Sequence, residues 1–262
     1  MWSPSFGGLR WVDMLRGAIL HLEADGSVSR WPVGKVAAAF RPRRDGGVVI
    51  ATEREFVVAD EAGGELRTLV TAFDDPAVRF NDGTCDPAGN FLCGTMAYDE
   101  TPGAGTMYRI SPAGRLDEVF GGVTISNGLA WTADAGRAYY NDTPTGRVDV
   151  FDSDATGALT GRRPFIEVAG GSPDGLTVDA DGGVWVALWG GGAVHHYAAD
   201  GTLADVVEVA ATNVTACTFG GDDLGDLFIT TSAEGDEDNP VAGAVFRYRT
   251  DVRGLPAATF AG

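Results

Sequence analysis

Lysine is nearly absent from this 262-residue chain: Lys35 is the only one, and 19 basic residues face 37 acidic ones for a formal net charge of −18. A nucleic-acid partner requires a basic footprint to neutralise phosphates, so that class is excluded. An anionic membrane would repel the chain for the same reason. No apolar run approaches the length of a membrane-spanning helix. The start, MWSPSFGG, lacks the basic-then-apolar order of a signal peptide, and a cytoplasmic protein is expected. Cysteine is scarce: Cys85, Cys93 and Cys217 are odd in number and lie in strand-like contexts. Buried free thiols are expected, although Cys85 and Cys93 could approach across a hairpin. Histidine is scarcer still as a usable ligand. His195 and His196 are neighbours on one strand pattern, must point to opposite faces and cannot chelate together, and His21 stands apart. The chain has no GxSxG elbow, HExxH pair, P-loop or strand-bounded GxGxxG. Those absences remove the common serine hydrolase, zincin and nucleotide-binding chemistries. Helical periodicity is equally hard to find. The stretch from Val33 to Phe40 is flanked by Pro32 and Pro42 and reads as strand and loop.

What the chain does have is a repeat. Three polar headers, Asn81-Asp82-Gly83, Asn127-Gly128 and Asp174-Gly175, each precede small or apolar residues, a turn, a glycine and a β-rich run. The glycines before such runs, Gly8, Gly46, Gly89, Gly136, Gly183 and Gly225, recur at intervals of 38 to 47 residues. That spacing suits four-stranded propeller blades, and six of them. Second strand patterns follow at GAILHL, GTMYRI, GRVDVF, GAVHHY and GAVFRY, with the period-two alternation of half-buried antiparallel strands. The expected fold is all-β, a single six-bladed β-propeller of four-stranded antiparallel blades over residues 1–262, with no residues left for a second domain. Carboxylates and amides opening the innermost strands would then converge on the axis, as a metal or polar-ligand site requires. Asn and Asp before Gly are also ordinary turn formers, and Trp131, Trp185 and Trp189 fit blade packing better than a sugar platform.

These segments resemble the senescence-marker-protein (regucalcin), gluconolactonase and luciferin-regenerating-enzyme family. The similarity runs through WSPSFGGLRWVDM, RFNDG with DPAG and GTM, TISNGLAW, YYNDTPTGRVDVFD, SPDGLTVDADGGVWVALWGGG and VTACTFGGDDLGDLFITT, and so covers nearly the whole chain. The resemblance implies a lactone hydrolase that opens a sugar-acid lactone or related cyclic ester with one divalent metal. Calcium is the first expectation for that ion, with magnesium, manganese or zinc as the others. It implies Asn127 and Asp174 as metal ligands, and Arg79, Asn81 and Asp99 as substrate-binding residues. An amide oxygen and a carboxylate are hard donors suited to such a cation, which can polarise a lactone carbonyl. Asp174 is the candidate catalytic base, a role that water activated by the cation could take instead.

One departure from the pattern lies at the start. Family members carry a glutamate ligand just before the tryptophan matched by Trp2, and here the chain begins at Met1, so the first strand is expected to be missing or shortened and the metal site poorer by one anion. Glu23, Glu53 and Glu55 are not obvious substitutes. Two alternatives therefore stand beside the hydrolase: a repurposed, metal-poor biosynthetic enzyme, and a non-catalytic propeller that binds a small molecule or calcium. The loops from Ala97 to Gly105 and from Ala233 to Ala242 are expected at the channel mouth, the second as an acidic, solvated lid. A small-molecule substrate is expected, with no nucleic acid or membrane partner; substrate identity and oligomeric state leave no trace in the sequence.

Overall fold

The computed structural model describes all 262 residues. Twenty-three strands form six antiparallel meander sheets, and the only helical pieces are single 3-10 turns at Pro4–Phe6, Met14–Arg16 and Thr143–Thr145. The chain divides into two compact units, Met1–Ser126 with Ala257–Gly262, and Asn127–Pro256.

In the first unit β1 (Trp2–Ser3), β2 (Gly8–Asp13), β3 (Ala18–Leu22) and β4 (Val28–Pro32) make one sheet, whose first strand is only two residues long. The next is β5 (Ala39–Pro42), β6 (Val48–Ala51), β7 (Glu55–Ala59) and β8 (Arg67–Thr71). The third is β9 (Val78–Cys85), β10 (Phe91–Ala97), β11 (Gly105–Ile110) and β12 (Leu116–Val123). The second unit holds β13 (Ser126–Trp131), β14 (Arg137–Asp142), β15 (Arg147–Asp152) and β16 (Thr160–Glu167). It continues with β17 (Ser172–Val178), β18 (Val184–Trp189), β19 (Ala193–Tyr197) and β20 (Leu203–Glu208), and ends in a three-stranded sheet, β21 (Asn213–Gly220), β22 (Asp226–Ser232) and β23 (Val245–Arg249). The six repeat glycines stand just before or at the start of the second strand of each sheet, and the headers fall in β9, β13 and β17.

The turns into those second strands have a common cause. Asp86 Oδ1 accepts from Asn90 N, and Asp179 Oδ1 accepts from Gly183 N, each carboxylate closing its own hairpin. Gly89 at φ +83° and Gly182 at φ +85° take the left-handed position that such turns need. Between β13 and β14 the corresponding residue is Ala135, at φ +60°.

Each unit buries its own apolar clusters. In the first, Phe56 packs tilted against Phe80 at 4.7 Å and meets Phe91 edge-on at 5.6 Å, with Cys85, Cys93 and Phe260 sealed among them. Rings of this size contribute about 1.5–3 kcal/mol each when fully buried. Gly94 lies so close to Ser126 that a Cβ there would overlap its Oγ. In the second unit Trp185 stacks on His196 at 4.1 Å and donates Nε1–H to Asp179. His195 bonds Tyr197 on the opposite face, so both histidines serve packing. All three cysteines are free and buried. Cys85 and Cys93 pair with Phe91 and Gly83 across the β9–β10 ladder rather than with each other, and burial pushes their thiols up, that of Cys217 to about 12.

Candidate functional site

Two of the three headers sit where their strands bulge. Opposite β10 the register steps from Gly94↔Asp82 to Thr95↔Phe80, so Asn81 is the extra residue on β9. Opposite β18 it steps from Pro173↔Leu188 to Leu176↔Val186, which places one extra residue across Asp174–Gly175. A bulge twists the strand and re-aims the side chain it carries, and it is common beside functional sites. β21 has the same one-residue slip, at Thr215.

In the first unit Arg79 is buried, and its Nη1 donates to Asn81 Oδ1 at 2.7 Å, to Phe80 O at 3.0 Å and towards Met14 Sδ. Asn81 Nδ2 donates to Ser126 O at 2.8 Å. The structure thus joins Arg79 and Asn81 directly. It does not bring Asp99 to them. That carboxylate is exposed and accepts from the amide and hydroxyl of Thr101, an Asx turn that shapes its loop and holds its pKa below the ordinary value. The loop residue that faces Arg79 is Tyr98, whose ring centroid is 5.8 Å from the guanidinium carbon. Its hydroxyl donates to Glu53 Oε1 at 2.6 Å, and Glu53 also pairs with Lys35, the sole lysine. Lys35 first and Tyr98 second hold Glu53 below the usual carboxylate range, while burial and Glu53 push the Tyr98 phenol up. On the other face of β9, burial pushes the Asp82 carboxyl up, with Arg41 partly opposing it.

In the second unit Asn127 is buried and donates Nδ2–H to Thr143 Oγ1 at 2.7 Å. Thr143 in turn donates to Pro173 O at 2.8 Å, and Asn141 Nδ2 donates to Asp174 O at 2.7 Å. Asn127 and Asp174 are therefore tied to one local network through the end of β14.

Sequence reading missed a fourth header. Asn213 opens β21 as Asn127 and Asp174 open theirs, but Val214 rather than glycine follows it, so the dipeptide signal is lost. Asn213 uses both ends of its amide on backbone, accepting from Gly190 N at 3.1 Å and donating to Glu234 O at 2.6 Å. The acidic segment 233–242 is likewise fastened: Asp236 accepts from Thr212 N, and Asn239 donates to Ala210 O. Its residues are exposed or half-buried, as expected of a solvated segment, and these bonds hold it to residues 210–212.

Six successive antiparallel meanders define a six-bladed β-propeller. The profile of the SMP-30/Gluconolactonase/LRE-like region matches residues 1–233, and the chain belongs to that family. It is 37% identical over 271 residues to a pentonolactonase of Haloferax volcanii, covering 98% of this chain and 91% of the relative. It is 34% identical over 273 residues to a 6-deoxy-6-sulfogluconolactonase of Pseudomonas putida, covering 100% and 94%. The crystal structure of regucalcin from Agrobacterium tumefaciens, described as a calcium-binding protein, superposes with a TM-score of 0.92 at 27% identity, covering 99% of this chain and 92% of that one. No helix is long and apolar enough to cross a membrane.

Proposed function

We propose that this protein hydrolyses a lactone of a sugar acid with the help of one hard divalent cation, calcium foremost. Two lactonase relatives matched over nearly their whole length support the reaction class, and the calcium-binding regucalcin supports the cation. The observation that carries the proposal is the match to two lactonases over nearly the whole of both chains. Within the chain, Asn213 commits both amide ends to backbone, whereas the Asn127 amide donates to the Thr143 hydroxyl. An amide oxygen and the Asp174 carboxylate are oxygen donors of the type that calcium, magnesium and manganese select. No cluster of three or more His, Cys, Asp or Glu side chains is present.

When bound, such an ion polarises a lactone carbonyl and stabilises the negative charge that develops on its oxygen. The chain's own part is binding and proton movement. Arg79, fixed by Phe80 O and Asn81, presents a rigid guanidinium to substrate oxygens, and Asn81 is held beside it. Asp174 accepts the proton of the attacking water, its backbone steadied by Asn141. Asp99 reaches substrate hydroxyls only by releasing Thr101, and Tyr98 is the residue of that loop already set against Arg79.

The test is acid release from a panel of pentono- and hexonolactones by chelator-stripped protein, with calcium, magnesium, manganese or zinc restored singly and Asp174→Ala in parallel. Cation-dependent ring opening lost in Asp174→Ala is the expected result. Cation binding without turnover on any lactone would replace the hydrolase with a binding protein.

A further inference from the structure

The turn between β6 and β7 carries Glu53 against the strand that holds Arg79. Phe80 N donates to Glu53 O at 2.9 Å, and Phe80 O accepts from Arg79 Nη1 at 3.0 Å. One residue of β9 thus anchors the Glu53 backbone and the Arg79 guanidinium together. The turn is itself fixed: the Thr52 amide and hydroxyl both donate to Glu55 O, and Arg54 Nη1 donates to Asp74 O. Tyr98 makes a second link, through side chains, because its ring lies against the Arg79 guanidinium while its hydroxyl donates to Glu53 Oε1. Lys35 donates to that same oxygen and stands 5.1 Å from the centroid of the same ring. Both bonds therefore fall on Oε1. Oε2 has Arg54 Nη2 at 3.8 Å, an ion pair too long for a hydrogen bond. A carboxylate has about four acceptor positions, so Glu53 keeps capacity for further donors. Lys35 first and Tyr98 second hold it ionised, and an ionised acceptor makes the stronger bond. Asp99, by contrast, is exposed and spends Oδ1 on the amide and hydroxyl of Thr101.

We propose that Glu53 is the acidic substrate-binding residue beside Arg79, accepting hydroxyl hydrogens of the sugar lactone on Oε2. It takes the part that the family resemblance gives to Asp99. The inference rests on the reading of the protein as a lactone hydrolase with Arg79 on substrate. The ligand class follows from the acceptor. A free hydroxyl donates to a carboxylate, whereas a deoxy position or an alkylated oxygen has no hydrogen to give. The site therefore selects lactones that keep free hydroxyls where they reach Glu53. With an ammonium already on Oε1, this carboxylate serves substrate hydroxyls and does not stand in for the missing glutamate ligand of the metal.

The experiment measures kcat and KM on the best lactone of the panel for wild type, Glu53→Ala, Glu53→Gln, Lys35→Met and Asp99→Ala, with a thermal melt of each. Calorimetry on the same proteins follows binding of the anhydrohexitol that keeps the ring hydroxyls of a hexonolactone and lacks its carbonyl. The expected result is a KM raised at least about tenfold in Glu53→Ala with kcat little changed, the scale of a lost hydrogen bond to a charged group. Glu53→Gln, which keeps an acceptor oxygen, should recover part of it, and anhydrohexitol affinity should fall in parallel. Lys35→Met leaves the carboxylate and its bond from Tyr98, so it should lose less than Glu53→Ala. Equal losses in Lys35→Met and Glu53→Ala, in step with a common fall in melting temperature, would reduce Glu53 to a tie for the Tyr98 loop. A KM raised in Asp99→Ala and unchanged in Glu53→Ala would return the contact to Asp99. If the wild type opens no lactone yet its anhydrohexitol binding is weakened in Glu53→Ala, the hydrolase reading fails and the Glu53 contact stands. Absence of both turnover and anhydrohexitol binding in the wild type would remove both.

Discussion

The ring of Tyr98 lies 5.8 Å from the guanidinium carbon of Arg79 while its hydroxyl is held by Glu53. The phenol thereby flanks a cation whose Nη1 hydrogens already serve Asn81 and Phe80. If the guanidinium grips substrate, lysine cannot replace it, because an ammonium has no planar fork. Arg79→Lys is expected to lower kcat/KM on the best lactone by at least about tenfold, the scale of a lost charge-assisted hydrogen bond of about 1.5–3 kcal/mol. Tyr98→Phe keeps the ring and loses the hydroxyl's bonds to Glu53 and Lys35 at the surface, so it should stay within about two- to threefold, as surface changes of about 0.5 kcal/mol do. Equal losses in both variants would place the binding energy in the phenol.

The repeat was legible because it is written in local chemistry: Asp closes the hairpin, glycine takes the left-handed residue, and alternation marks the strands that follow. Arg79 and Asn81 were legible together only through the resemblance of the RFNDG motif to its family. The bulges at Asn81 and Asp174 were not legible, because a slip of one residue is a relation between two strands and leaves no mark on either alone. The same holds for Tyr98, whose role against Arg79 depends on how a turn led by Asp99 and Thr101 aims the preceding side chain. Asn213 escaped because the glycine that flags the other headers is a valine there.

Asp82 gives a pH signature. Burial raises its carboxyl pKa above the ordinary value of about 3.9. The folded protein therefore binds that proton more tightly than the unfolded chain. The stability this contributes is fully present below the unfolded value and is lost as pH rises through the folded one. Asp82→Asn keeps an oxygen to accept from Gly83 N and removes the titration. Its melting temperature, relative to wild type, should improve between pH 4 and pH 7; a constant difference would mean that Arg41 fully compensates the buried charge.

Ala135 occupies the left-handed position that Gly89 and Gly182 hold in two other hairpins, at φ +60°. A left-handed L-residue costs about 1–2 kcal/mol, of which glycine returns part as unfolded-chain entropy. Ala135→Gly is expected to raise unfolding free energy by about 0.5–1 kcal/mol in urea titration. No gain would show that the Thr132–Asp134 bonds of the turn already absorb the strain.

Asn213 and Asn127 occupy like positions, and their calcium affinities should separate them. Replacing Asn213 by alanine leaves Gly190 N and Glu234 O without their amide partner, at about 1–3 kcal/mol for such groups. It also loosens the segment from Glu234 to Asn239, which closes over Ala210 and Thr212. Calcium affinity should be unchanged. Asn127→Ala should weaken calcium affinity, because the proposed ligand oxygen goes with the side chain, while the Thr143 hydroxyl keeps Pro173 O as a partner. Urea titration and calcium calorimetry on the two variants separate the roles. A stability loss in Asn127→Ala with affinity intact would make both asparagines architectural, and the cation would then have to be sought at the Asp174 bulge alone.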